Sequence, residues 1–345
     1  MRSPALATLV RSIAVAGIAT LGMVSAEPSW ALRTEPRHTD VALQGGFLGP
    51  LRAIGRIETR KPLEGRMVQA TGTAFFVAPC HVLTAAHVLY SKEDEARLFE
   101  RDPEGGRTPL PRGELLAFVR TLQKEIDERT PRGAMRFHVL RGPDGEFDPS
   151  RALVVEHIVG VDFRADVAVL RVNRCLGVPE RLGSVPLPDA EWDRADRVLE
   201  TLYRHQVPLV TAGFPGDQPG DALQLNSTPH WKVAGPHVIH GASTHSGASG
   251  GPLFAFVRGD GEGRVEGAGR DDFATPEGRA RLFGSYKAIL VGINVARNPE
   301  IPPGNIARRL PVAPIRKAIR EDLEKHRALL QPRIARESRA YAAGG

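Results

Sequence analysis

From Leu51 onward, short apolar stretches alternate with turn residues. Thr73–Val77 (TAFFV) and His81–Thr84 (HVLT) lie on either side of Ala-Pro-Cys. Phe137–Leu140, Leu153–Ile158, Val167–Val172, Pro208–Ala212, Pro252–Val257 and Ala288–Val295 follow. Most are four to eight residues long and rich in Val, Ile, Leu and Phe, which is the signature of strands in an all-β barrel or sandwich. Two regions break the pattern. Tyr90–Ile126 mixes charges of both signs with Gly and Pro and reads as a surface excursion, with a helix around Glu114–Glu128. Gly259–Arg279 is Gly-rich and charged and reads as a long hairpin loop. Near the end, Val312, Ile315, Ile319, Leu323 and Leu330 fall close to a helical period, predicting one amphipathic helix that Pro332 stops. Residues 332–345 are then expected to be a disordered basic tail.

Composition sharpens this picture only a little. The 345 residues are 41% hydrophobic and 25% charged, enough apolar content to exclude disorder throughout. The 36 Gly and 28 Pro favour many short elements over a helix bundle. The net charge is +6, and the segment Arg316–Gly345 carries eight basic and four acidic residues, so +4 of it lies there. A solvated helix face explains that excess. There is no basic patch interleaved with aromatics, so no nucleic-acid partner is expected.

The N-terminus reads as an export signal. Arg2 and Arg11 give a basic start, Ser12–Ala26 is apolar or small, and Val24-Ser25-Ala26 fits a cleavage site. Its apolar run is about 13 residues, short of the ~20 that span a bilayer. We therefore expect residues 1–26 to be a signal peptide and 27–45 a leader or pro-segment. The mature protein should be secreted or periplasmic, with no stable membrane span. Export bears on Cys80 and Cys175, since an oxidising compartment allows a disulfide between them; two buried free thiols are the alternative.

Three segments carry chemistry: Leu83-Thr84-Ala85-Ala86-His87-Val88, Ala165-Asp166-Val167-Ala168-Val169-Leu170, and Ser246-Gly247-Ala248-Ser249-Gly250-Gly251-Pro252. Each alone has a bland reading as an edge histidine, a turn aspartate or a loop serine. Together, in the order His, Asp, Ser, they resemble the chymotrypsin-like (trypsin-like) serine peptidases. That resemblance implies two six-stranded antiparallel β-barrels over residues 46–331, an active site between them, and a C-terminal α-helix. It implies His87 as base, Asp166 as the acid that orients it and Ser249 as nucleophile, with the amides of Gly247 and Ser249 as the oxyanion hole. The chemistry suits these residue types. A serine hydroxyl attacks only when a base takes its proton, and a neutral imidazole is such a base. One oxyanion donor is worth about 2.7–4 kcal/mol of barrier. Asp162 competes for the acid role, but Asp166 directly precedes the apolar strand.

Further segments resemble the bacterial branch that includes glutamyl endopeptidases: Gly213-Phe214-Pro215-Gly216-Asp217, Thr244 five residues before Ser249, and Gly292-Ile293-Asn294. The branch has a His where Asn294 stands, and Asn carries no charge. Arg297 could supply a positive rim. The small, neutral Ser243 stands at the pocket base. The implied pocket residues are thus Ser243, Thr244, Asn294 and Arg297, without the Asp that would select Lys or Arg.

No cofactor is expected. No metal is expected either, because His237, His240 and His245 lack a carboxylate or Cys partner nearby in sequence. The expected function is that of a monomeric exported serine endopeptidase acting on polypeptides. The alternative is a non-catalytic protein of this fold that binds a polypeptide or surface partner.

Overall fold

The computed structural model describes residues 49–101, 107–139, 152–179, 181–187, 195–215, 223–242, 244, 246–259, 265–268, 272, 278, 281, 285–297 and 305–342. Residues 1–26 and 27–45, expected to be a signal peptide and a leader, lie outside them.

The first half is a closed barrel. β1 (Ile54–Leu63) and β2 (Arg66–Ala78) pair over ten positions, from Ile54 opposite Phe75 to Leu63 opposite Arg66. Glu64 and Gly65, both at positive φ, make the tight turn between them; two such residues match the right-handed twist of a hairpin. β3 (His81–Thr84), a four-residue helix α1 (Lys92–Glu95), the small hairpin β4–β5 (Phe99–Arg101, Arg107–Pro109) and α2 (Arg112–Asp127) come next. They are followed by β6 (Arg136–Val139), β7 (Leu153–Asp162) and β8 (Val167–Val172). The barrel closes in the order β1-β2-β3-β8-β7-β6. Phe75, Phe137, Ile57 and Leu170 are fully buried. From Gly72 to Val77 every residue of β2 is buried, as is all of β8. Strands covered on both faces lose the apolar–polar alternation and read as continuous apolar runs. The excursion expected at Tyr90–Ile126 indeed carries a helix, and α2 turns Leu122 and Ile126 into the core.

The second half departs from the expected six-stranded barrel. After α3 (Ala195–Arg204) come β9 (Leu209–Gly213), β10 (Gln224–Thr228), β11 (Trp231–Ala234) and β12 (His237–His240). β13 (Pro252–Gly259), β14 (Val265–Gly267), β15 (Lys287–Arg297) and β16 (Asn305–Arg309) complete it. They form one sheet in the order β10-β9-β13-β15-β16-β12-β11, with β14 added on β13. The end strands β10 and β11 are separated only by Pro229 and His230 yet do not pair. Pro229 has no N–H, and His230 gives its N–H to Thr228 Oγ1 and its carbonyl to Gly241 N. Trp231 Nε1 instead donates to Val207 O at 2.8 Å, fastening the edge.

Two helices end the chain: α4 (Val312–Lys325) and α5 (Arg327–Ala342). The helix does not stop at Pro332, and residues 332–342 are helical rather than a disordered tail. Tertiary contacts outweigh the missing backbone donor of Pro332. Leu330 is buried against the Cys80–Cys175 disulfide, and Glu337 meets Arg174 Nε at 3.1 Å and Arg181 Nε at 3.6 Å. The disulfide closes a 95-residue loop, worth about 4–5 kcal/mol on a loop-entropy model. Under it lies a buried ionic cluster: Asp322 of α4 accepts from His81 Nε2 at 2.9 Å and from Arg171 Nη1 at 2.7 Å.

His240, on β12 opposite Asn305 and Trp231, is completely buried. Burial pushes its pKa down to about 4, only partly offset by the side chain of Asn294. The unfolded chain then takes up the proton first. This contribution to stability is complete above the unfolded pKa of ~6.5 and is lost as pH falls from there through about 4, in total about 3 kcal/mol. Urea midpoints measured between pH 7.5 and 4.5 should therefore fall less steeply for His240→Gln than for the parent chain. Parallel slopes would refute the assignment.

Candidate functional site

The His87, Asp166 and Ser249 segments reach the site by different routes. β3 ends at Thr84, and the chain turns at once into a single 3-10 turn, Ala86–Val88, which swings His87 off the barrel end. Asp166 stands in the tight turn before β8 in a left-handed conformation (φ 51°). From there it makes three bonds to two consecutive residues. Its carbonyl accepts from Ala86 N at 3.1 Å, Oδ1 accepts from His87 N at 2.8 Å, and Oδ2 lies 2.7 Å from His87 Nδ1. Asp162 takes no part: its Oδ1 caps the turn by accepting from Ala165 N at 2.8 Å. The His87 and Asp166 side chains keep 30% and 23% of their exposure, so the pair is open on one side.

The Ser249 loop is held from both halves of the molecule. Asn294 brackets it from β15, with Gly250 N donating to Asn294 O and Asn294 N donating to Gly251 O, each at 2.8 Å. Thr73 of β2 fastens it from the barrel. Thr73 N donates to Ser249 O at 2.8 Å, and Thr73 Oγ1 donates to Gly247 O at 2.8 Å. The same oxygen accepts from Phe214 N at 3.0 Å, while Thr73 O accepts from Thr84 Oγ1 at 2.8 Å. Gly250 must be glycine here. Its φ is 84°, and a Cβ would collide with Thr73 O and Thr84 Oγ1. Gly247 has φ 96°, a conformation that side chains disfavour. Among the described residues, the N–H groups of Gly247 and Ser249 have no protein acceptor, whereas both carbonyls are taken by Thr73. Ser249 Oγ makes no hydrogen bond among the described residues.

Two side chains that hold the site, one at the Ser249 loop and one at His87, carry no sign of it in the sequence. Thr73 is one; nothing distinguishes its hydroxyl from that of any other strand threonine. The second is Lys61, whose Nζ donates to His87 O at 2.7 Å. Burial lowers the Lys61 pKa to about 8 against the pull of Asp94 and Asp166. A lysine near the end of a polar hairpin strand gives no sequence sign of that position.

The expected pocket residues are only partly placed. Thr244 Oγ1 donates to Asn305 Oδ1 at 2.7 Å. The Asn294 side chain is buried beside His240, and neither forms an aligned hydrogen bond. Ser243, His245, Gly216 and Asp217 lie outside the described residues, as does the side chain of Arg297, whose backbone pairs with Asn305.

No curated protein matches the sequence. Among solved structures, a protease of M. tuberculosis in its active form is similar at 13% identity, covering 85% of this chain and 91% of that one with a TM-score of 0.38. A serine endoprotease from Yersinia pestis is similar at 14% identity, covering 84% of this chain and 68% of that one with a TM-score of 0.40. Both TM-scores are too low to bear on fold or activity. The model of the trypsin-like peptidase domain matches residues 72–260, more than half of the 345. That span holds His87, Asp166 and Ser249, and the chain belongs to the trypsin-like peptidase domain family.

Proposed function

We propose that this chain is an exported serine endopeptidase with His87, Asp166 and Ser249 as its triad. The observation that carries the reading is the Asp166 carboxylate gripping both the backbone N–H and Nδ1 of His87. A carboxylate on Nδ1 fixes the tautomer that leaves Nε2 free to accept a proton. Ser249 Oγ would attack the peptide carbonyl carbon while its proton passes to His87 Nε2. The negative oxygen would settle against the N–H groups of Gly247 and Ser249. The C–N bond would break as His87 returns the proton to the departing amine, and water would release the acyl group by the same route. Ser249 Oγ has no hydrogen-bond partner among the described residues, and on this reading it would bond to His87 Nε2 as substrate binds, when catalytic hydrogen bonds often tighten.

Export is supported by the disulfide, since such bonds persist in oxidising compartments, and by the N-terminal signal pattern. No helix among the described residues is long and apolar enough to cross a membrane. The glutamyl-endopeptidase resemblance enters only as a pocket reading. Asn294 and Thr244 are neutral and bring no fixed negative charge, so they give basic side chains no electrostatic gain.

An active-site fluorophosphonate should label the parent chain, and Ser249→Ala should abolish both label and casein hydrolysis. An unlabelled parent chain would favour the non-catalytic alternative, and a labelled Ser249→Ala variant would point to another nucleophile. Mass spectrometry of a peptide-library digest should show no preference for cuts after Lys or Arg; a strong one would overturn the pocket reading. Thr73→Val should lower kcat by about ten- to a hundredfold, the effect of losing ~1–3 kcal/mol of orientation. KM should change little, and Thr73→Ser should recover most of the rate. A Thr73→Val variant with unchanged kcat would show that the Gly247 carbonyl needs no such anchor.

A further inference from the structure

The barrel and the C-terminal helices meet at a cluster that the peptidase reading does not use. His157 projects from β7, Asp322 from α4, and His326 stands at the junction of α4 and α5. One ligand atom from each of the three lies within 4.8 Å of the other two. The imidazole rings face each other edge to face with centroids 6.0 Å apart. His326 Nε2 is buried with no hydrogen-bond partner, 3.7 Å from Asp322 Oδ1. The His157 ring makes no hydrogen bond among the described residues.

We propose that His157, Asp322 and His326 form a binding site for a divalent transition-metal ion of the zinc type. Both imidazoles are suited as ligands: His326 Nε2 has no hydrogen-bond partner, and the His157 ring is not committed to one among the described residues. The carboxylate is held in place from behind. Asp322 Oδ2 accepts from His81 Nε2 at 2.9 Å and Arg171 Nη1 at 3.0 Å, and Oδ1 accepts only from Arg171 at 2.7 Å. Oδ1 therefore keeps a lone pair on the side of His326.

Charge decides which ions fit. Arg171 neutralises Asp322, and Lys325 is also close enough to act on both rings. A hard cation such as Mg²⁺ or Ca²⁺, which needs several oxygen ligands, gains almost nothing. Zn²⁺ gains from neutral imidazole nitrogen and tolerates a single carboxylate oxygen, with water as a fourth ligand. Ligands at ~2.0–2.1 Å from a tetrahedral ion stand about 3.3 Å apart, so the partly exposed rings must turn inward. His326 keeps 27% of its side-chain exposure, which leaves it room to turn and the ion a way in. Bound metal would staple β7 of the barrel to the helices that cover the disulfide.

The test uses the full chain stripped of metal with EDTA. Titration with ZnSO₄ in a calorimeter should give one site per chain, and Zn²⁺ should raise Tm where equal Mg²⁺ does not. His157→Gln and His326→Gln should each weaken Zn²⁺ binding at least tenfold while peptidase activity of the metal-free protein stays unchanged. Co²⁺ added to the unmutated chain should develop the visible absorption of a tetrahedral ion, a readout that needs no variant to fold. No stoichiometric heat and no Co²⁺ band, or Zn²⁺ binding equally strong in the double variant, would overturn the proposal.

Discussion

Thr73 bonds to the Ser249 loop with both its backbone and its side chain, and the geometry of the site depends on those contacts. Its N–H holds the Ser249 carbonyl, its hydroxyl holds the Gly247 carbonyl, and the same oxygen takes the N–H of Phe214 at the end of β9. One barrel residue thus satisfies three polar groups of the second half in a place where water cannot reach. Buried polar groups left unpaired cost about 1–3 kcal/mol each, so the loop and the barrel cannot slide apart without exposing that cost. The fixed carbonyls also restrain the backbone on either side of them. A peptide unit whose C=O is fixed cannot rotate freely, and its neighbours are held with it. Among the described residues, the N–H groups of Gly247 and Ser249 stay without an acceptor while their carbonyls are bonded.

A second anchor works at the opposite end of the barrel. Asp322 comes from α4, His81 from β3 and Arg171 from β8, and the three meet in a buried ionic cluster. The Asp322 carboxylate is pushed towards protonation by burial, yet His81 and Arg171 outweigh that and hold its pKa near 2. His81 belongs to the same short strand that leads to His87, and Arg171 to the strand that follows Asp166. The helices are thus tied to the two strands that lead to His87 and away from Asp166. A buried charge cluster is a weak source of net stability but a strong selector of one arrangement, and here it fixes how the C-terminal helices sit on the barrel.

These anchors also mark the limit of what the chain's sequence reveals. His87, Asp166 and Ser249 were legible because each sits at a fixed offset from a run of apolar strand residues, and because the glycines around Ser249 are needed for local backbone reasons. Most strands of the barrel were legible for the same reason: β8 is buried throughout and apolar except for Arg171, whereas β1, whose second half is Thr59-Arg60-Lys61-Pro62-Leu63, gave no apolar run. β11 and β12 were not, since Trp231–Ala234 and His237–His240 are only four residues long, the first mostly exposed and the second with a His at each end. Among the described residues β10 and β11 do not pair although only Pro229 and His230 separate them, and no local pattern reports that. The helix through Pro332 depends on the Leu330 and Glu337 contacts, made to residues more than 150 positions away. Thr73 and Asp322 act across 174 and 241 positions, and no local pattern reports such a partner.

The two aspartates at 162 and 166 show how local strain and long-range geometry are joined. A non-glycine residue at positive φ is costly, about 1–3 kcal/mol, though Asp bears it better than most. Asp166 adopts it between Ala165 and Val167, both buried. With its neighbours packed inward, the left-handed turn leaves the Asp166 carbonyl and carboxylate pointing the same way, towards Ala86 and His87. Three hydrogen bonds then offset the strain. Asp162 makes the turn available: by capping Ala165 N it closes the loop that ends β7 one residue before Asp166 begins its work. A carboxylate that shapes the backbone at 162 leaves the one at 166 free to spend one oxygen on the His87 backbone N–H and the other on its imidazole, so the two aspartates hold different parts of the same turn.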